Sequence, residues 1–389
     1  MNFEGISAIV FVVLVSAFLF FRRKKIKIEK VLYPAVYFIL YRTKLGIKLM
    51  DRIAQKCRKT WHYFNYFSIG LGFLGMAAIC FLLLHNLYSI FFIPGAVSGV
   101  GLVLPFKVKG AFFVPFFYWI IAILVIATVH ESFHGIIARY YNIKLKSSGF
   151  AFLAILAPII PAAFVEPDEK TLFKRPVKQQ LAVFSAGATS NIILGAVFLL
   201  IILFVVQPLT SSMFQGQVSV AEVTKGAPAD LAGLKVDETL VFVDDVMINS
   251  SDDFINVMAN KTPGSNIQIK TDSKNYAVTL AKNPKNESKS YIGISILQKS
   301  VPTEAAKQKY GGFIPAAILW LTGLFFFLYV LNLGIGLFNL VPVGPIDGGR
   351  MLNIALKKYF KKNGAKIFKF VSILFLLVII INIAMSFIK

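Results

Sequence analysis

Phe117–Tyr141 reads FYWIIAILVIATVHESFHGIIARYY. The run is long and apolar enough to cross a bilayer core, which takes about 20 helical residues. Its polar interruption is His130-Glu131-Ser132-Phe133-His134. Ionisable side chains at membrane depth cost a few kcal/mol each and mark function by default. On a helix, positions four apart share a face, so both imidazoles can address one point. The stretch therefore predicts a membrane helix that carries a polar centre.

The rest of the chain belongs to the same class. Hydrophobic residues make up 57% of the 389, charged residues 15%, and Phe occurs 38 times. A soluble domain cannot hide that much apolar side chain, and a disordered chain is polar and highly charged. Membrane helices are expected at 5–21, 67–85, 117–139, 181–206, 313–335 and 367–388. Apolar pieces at 31–41, 88–105 and 149–165 carry Pro or Gly or are too short to cross. They read as interfacial or re-entrant segments. The run Ile6–Phe21 precedes its positive cluster, and no small-residue cleavage site follows it. It reads as a retained helix rather than a signal peptide. Neither Cys57 nor Cys80 is expected in a disulfide or a metal site.

The formal net charge is +22. Lys and Arg accumulate in short cytoplasmic loops, so this charge is first a statement about orientation. With the N-terminus outside, the inside loops and adjoining helix ends hold 27 basic residues and the short outside stretches 3. The long segment 207–312 holds 11 basic and 11 acidic residues and carries little orienting weight. The expectation is a multi-pass cell-membrane protein with both termini outside and 140–180 in the cytoplasm. The runs Arg22–Lys25 and Lys357–Lys362 then anchor the chain to the lipid bilayer, and no nucleic-acid partner is expected.

Four regions follow. Residues 1–66 form an N-terminal membrane helix and a basic cytoplasmic segment. Residues 67–210 and 304–389 form two halves of a membrane core. Between them, 211–303 is polar. It has strand-like runs at Val218–Val223, Thr239–Val243, Asn266–Thr271 and Ala277–Leu280, and short helices at Ala227–Ala232 and Ser251–Met258, with Ser251 as cap. The fold class is thus a polytopic α-helical membrane protein of about six helices with an inserted α+β domain.

His130 and His134 flanking Glu131 follow the HExxH logic of two zinc ligands and a general base. The bland alternative is a pair of packing histidines beside a buried Glu. A catalytic zinc usually takes three protein ligands. Among the few acids outside the inserted domain, Asp347 stands apart in Asn339-Leu340-Val341-Pro342-Val343-Gly344-Pro345-Ile346-Asp347-Gly348-Gly349-Arg350. Two Pro and three Gly break the helix there, near the membrane. A broken helix with a carboxylate at depth suits a cavity wall, or simply a turn at the cytoplasmic exit. His130 lies nine residues before Arg139, about 13 Å at 1.5 Å per residue. Both elements therefore belong to the cytoplasmic half of the bilayer.

HExxH in one membrane helix and NxxPxxxxDGGR in a later one resemble the site-2 protease family of intramembrane zinc metalloproteases. The resemblance covers nearly all of the chain beyond residue 67, and Gly187-Ala188-Thr189-Ser190-Asn191 is similar to the family's GxxxN signature. It implies one zinc ion held by His130, His134 and Asp347, with Glu131 activating water. It also implies that Asn339 holds the substrate strand or the developing oxyanion, with Asn191 a further candidate for the same region. Substrates would be membrane proteins, single-span chains first trimmed by another protease. The inserted segment resembles a PDZ domain through Gly226-Ala227-Pro228-Ala229, Ala232-Gly233-Leu234 and Val241–Ile248. That likeness places a carboxylate-binding loop at Tyr291-Ile292-Gly293-Ile294, with Gly293 as candidate peptide-binding residue outside the cell. Residues 22–66 match no motif. Two other classes fit the raw features: a zinc transporter using the same ligands, and a PDZ-anchored membrane scaffold. A transporter scatters ligands along a path and often shows repeats, and a purely structural site has no use for Glu131.

Overall fold

The computed structural model describes residues 3–32, 36–96, 98–155, 157–284 and 286–388. The chain divides into two compact units, Met1–Ile202 with Thr322–Lys389, and Leu203–Leu321. Among the described residues, six helical stretches are long and apolar enough to cross a membrane, and each contains one of the six expected runs.

The first unit contains α1 (Phe3–Phe21), β1 (Ile26–Leu32), β2 (Val36–Thr43), α2 (Ile47–Lys56), α3 (Arg58–Phe92), α4 (Phe116–Tyr140), β3 (Leu145–Ile155), β4 (Ala157–Pro167) and α5 (Val177–Ile201). It is completed by α6 (Phe313–Phe338), whose first residues belong to the second unit, then α7 (Asp347–Phe360) and α8 (Gly364–Ile388). Lipid tails are as apolar as Leu, so small residues and hydroxyls join membrane helices better than oil does. The contacts here follow that rule. Ser185 of α5 donates to Ser68 of α3 at 3.0 Å. Gly72 of α3 leaves room for Met351 of α7, whose Cε would stand 2.7 Å from a Cβ there.

The apolar pieces outside the spans become mostly strand. The strands β1-β2-β3-β4 form one antiparallel sheet in that order. Tyr41 pairs with Phe150, and Phe150 with Ala163. Residues 36–41, 149–155 and 157–165 therefore lie in strands, and 88–92 complete α3. Positions 33–35, 97 and 156 of these pieces lie outside the described residues. The unmatched segment 22–66 supplies half of this sheet and then α2, whose Asp51 is paired with Arg139 at the end of α4.

The second unit is wider than 211–303 because helical turns at Gln207–Met213 and Glu304–Tyr310 belong to it. Its main sheet includes β5 (Phe214–Val223), β6 (Thr239–Val243), β7 (Asn266–Thr271), β8 (Asn275–Thr279) and β9 (Ile294–Pro302), in the order β8-β7-β6-β5-β9. Alternation puts Ile267 and Ile269 in the core with Val218, Val220 and Leu240. The helix expected to start on Ser251 is capped one residue earlier. Ser250 accepts from Asp253 N at 3.1 Å, and the Asp253 carboxylate returns the bond to Ser250 N. A capping box satisfies two orphan amides at once, which selects this frame over its neighbour. Gly293 begins the edge strand β9 region at φ +83°, where a Cβ would collide with Ala227.

Candidate active site

The helix α4 carries His130 and His134 one turn apart, and both side chains are buried. Asp347 is the first residue of α7. It follows the broken segment 339–346, whose shape depends on the glycines after it. Gly348 N donates to Asn339 O at 2.8 Å, and a Cβ on Gly348 or Gly349 would strike the carbonyls of Leu340 or Val343. Only bare glycines let the start of α7 press against that loop and hold Asp347 in this position.

The result is a tight triangle of ligand atoms. Asp347 Oδ2 is 3.0 Å from His130 Nε2 and 3.2 Å from His134 Nε2, and the two Nε2 atoms are 3.0 Å apart. His134 Nδ1 lies 2.7 Å from the Val183 carbonyl. A carbonyl only accepts, so Nδ1 bears the proton, and a neutral ring in that tautomer has its lone pair on Nε2. Lone pairs and a carboxylate oxygen facing one another this closely repel unless a cation lies among them. Zinc bonds to His N and carboxylate O are about 2.0–2.2 Å, which puts tetrahedral ligand atoms ~3.3 Å apart. The donor set and its spacing fit zinc. Among the described residues, this is the group of His, Cys, Asp and Glu that converges in this way.

Glu131 stands beside the triangle and is not part of it. Its Oε2 accepts from Val165 N of β4 at 2.9 Å, which leaves the other oxygen for the cleft. The cleft measures about 660 Å³ and is lined by His130, Glu131, His134, Asn339 and Asp347. Its rim is charged. Arg42 of β2 lies 3.3 Å from Glu166, which also accepts from Ser147 at 2.7 Å. Asp168, bonded by Thr171 and paired with Lys146, keeps its carboxyl below the usual range. Glu166 is thus committed to Arg42 and Ser147.

The structure brings His130, Glu131, His134, Asp347 and Asn339 together. Asn191 is placed differently from the expectation. It is wholly buried behind the His130 ring, at 3.1 Å from Nδ1, and does not line the cleft. Gly293 belongs to the second unit. Sequence reasoning missed Arg42, Val165 and Val183. The last two act through backbone groups, which leave no mark on residue type.

Residues 118–381 match the sequence pattern of peptidase family M50. An uncharacterised protein of Methanocaldococcus jannaschii is 29% identical over 324 residues, 82% of this chain and 78% of its own. A Clostridium acetobutylicum protein, provisionally named a zinc metalloprotease, is 22% identical over 297 residues, 60% of this chain and 85% of its own. Among solved structures, the PDZ domain of an SdrC-like protein from Listeria monocytogenes is similar at 27% identity. It covers 21% of this chain and 86% of that one, with a TM-score of 0.18. Its counterpart from Listeria innocua is similar at 26% identity, covering 21% and 92%, with a TM-score of 0.19.

Proposed function

The chain belongs to peptidase family M50, the site-2 protease family, and from that premise we propose that it is an intramembrane zinc metalloprotease. It hydrolyses peptide bonds within or next to the membrane segments of other membrane proteins, as a step of regulated intramembrane proteolysis. One observation carries the reading. His134 and Asp347, 213 residues apart in sequence, meet at hydrogen-bond distance beside the carboxylate of Glu131.

His130, His134 and Asp347 would hold the zinc, which would supply Lewis acidity toward the scissile carbonyl. Glu131 takes a proton from water in the cleft onto its carboxylate and delivers it to the leaving amine nitrogen. Val165 N–H fixes Oε2, so the proton-handling oxygen keeps one orientation. A helical substrate has its carbonyls engaged and must be unwound to react. The β4 strand ends the sheet beside the cleft, and an extended chain can add to such an edge. The half-buried Asn339, which lines the same cleft, suits a substrate carbonyl. Favoured substrates are single-span proteins already trimmed outside. The charge pattern supports a site in the cytoplasmic half of the cell membrane and an inserted domain outside.

The test is cleavage of a single-span protein in reconstituted vesicles, with the cut located by mass spectrometry. Cleavage inside or beside the span is expected, lost on chelation and restored by zinc. Cleavage indifferent to chelation overturns the reading.

A further inference from the structure

His130 has two ring nitrogens, and the metal reading uses one. For Nε2 to present a lone pair, Nδ1 must carry the proton and needs an acceptor. His134 has that acceptor in the Val183 carbonyl, 2.7 Å away on α5. Two turns along the same helix, the Asn191 side chain faces His130 Nδ1 at 3.1 Å. Asn191 is wholly buried, and its Oδ1 has no hydrogen-bond partner among the described residues. With the amide nitrogen toward Nδ1, two donors would oppose each other in the metal-binding tautomer. The two ends of the amide are nearly equal in shape. Rotation about the last side-chain bond places Oδ1 against Nδ1–H and gives this buried oxygen the donor it lacks.

We propose that Asn191 is the positioning residue of His130: its side-chain carbonyl accepts Nδ1–H and fixes the tautomer and ring orientation that aim Nε2 at zinc. Three successive turns of α5 then form one support. Val183 O holds His134, Gly187 makes room for both rings, and Asn191 holds His130. The inference rests on the metallopeptidase reading but makes a separate claim, because Asn191 touches neither substrate nor metal. Metal-ligating histidines almost always donate their second N–H to an oxygen, and losing that partner costs about 10–100-fold in metal affinity.

Zinc affinity measured by chelator competition tests it on the full-length protein in detergent or vesicles. Asn191→Leu keeps the branched heavy-atom skeleton and removes the acceptor, so affinity falls about 10–100-fold. Asn191→Asp keeps an acceptor at Nδ1–H and holds zinc at least as tightly as wild type. A role in packing alone predicts the reverse order, with Leu tolerated and a buried Asp harmful, and that order overturns the proposal. Histidine ¹⁵N spectra of zinc-loaded wild type need no variant. They are expected to show hydrogen-bonded Nδ1–H on both ligand rings, and an Nδ1–H of His130 without an acceptor overturns the assignment. If wild type takes no zinc, the metallopeptidase reading falls as well. If wild type takes zinc and Asn191→Leu takes it equally well, only the role of Asn191 falls.

Discussion

Gly187 shows how little tolerance the site has. A Cβ there would stand 2.7 Å from Cε1 and Nε2 of His130 and closer still to His134 Nε2. Backbone cannot yield cheaply in a packed helix, so the rings must move instead. Gly187→Ala is therefore expected to weaken zinc binding by about tenfold or more, on the scale of losing a ligand's support. Gly70→Ala, where nothing lies within 4 Å, should leave it unchanged. Chelator competition on both variants checks this, and equal affinities would remove the steric argument. His130, Glu131, His134 and Asp347 were legible in the sequence because charge at membrane depth is conspicuous and i, i+4 spacing is geometric. The contact of Asn191 with the His130 ring was not legible, because it arises only once α4 and α5 pack and one amide meets one ring nitrogen.

At the scale of elements, the sheet beside the cleft rests on β4, whose Val165 N–H points away from β3 and toward Glu131. Proline is tolerated where a strand's N–H faces outward from the ladder. Val165→Pro should then remove the bond to Glu131 while the sheet and zinc persist. Turnover is expected to fall about tenfold or more, since a freed carboxylate loses part of its positioned acid–base advantage. Unchanged turnover with zinc still bound would separate β4 from the chemistry. In the inserted domain, Tyr276 donates to buried Glu238 at 2.7 Å, and that bond, with burial, pushes the phenol up to about 12. An acid whose folded value is raised contributes stability below its unfolded value near 10, and that stability is lost as pH rises toward 12. Hydrogen exchange of the domain in the full chain should loosen over that window. Tyr276→Phe should lose the added sensitivity, and a variant with the same pH profile as wild type would contradict this. The strands β5 to β8 of the inserted domain were legible from alternation and turns. The β1–β2 hairpin was not, although Ile26-Lys27-Ile28-Glu29 alternates. Its partner strand begins about a hundred residues later, and its basic charge reads first as a membrane anchor.

At the scale of the whole molecule, composition alone set the membrane class, and the proposed orientation rests on the basic residues in short loops. With Cys57 and Cys80 replaced, Ser273→Cys should react with an impermeant thiol reagent in intact cells, and Lys174→Cys only after permeabilisation. Both positions are exposed. The reverse pattern would invert the topology and move the site to the outer half of the bilayer. The central claim is that a zinc centre built from α4 and α7 uses Glu131 to split peptide bonds. Paired measurement of zinc content and cleavage rate in reconstituted wild type and Glu131→Gln tests it most directly. One zinc per chain is expected in both proteins, with a rate lower by about 10²–10⁴-fold in the variant. Near-normal cleavage by Glu131→Gln with zinc in place would contradict it.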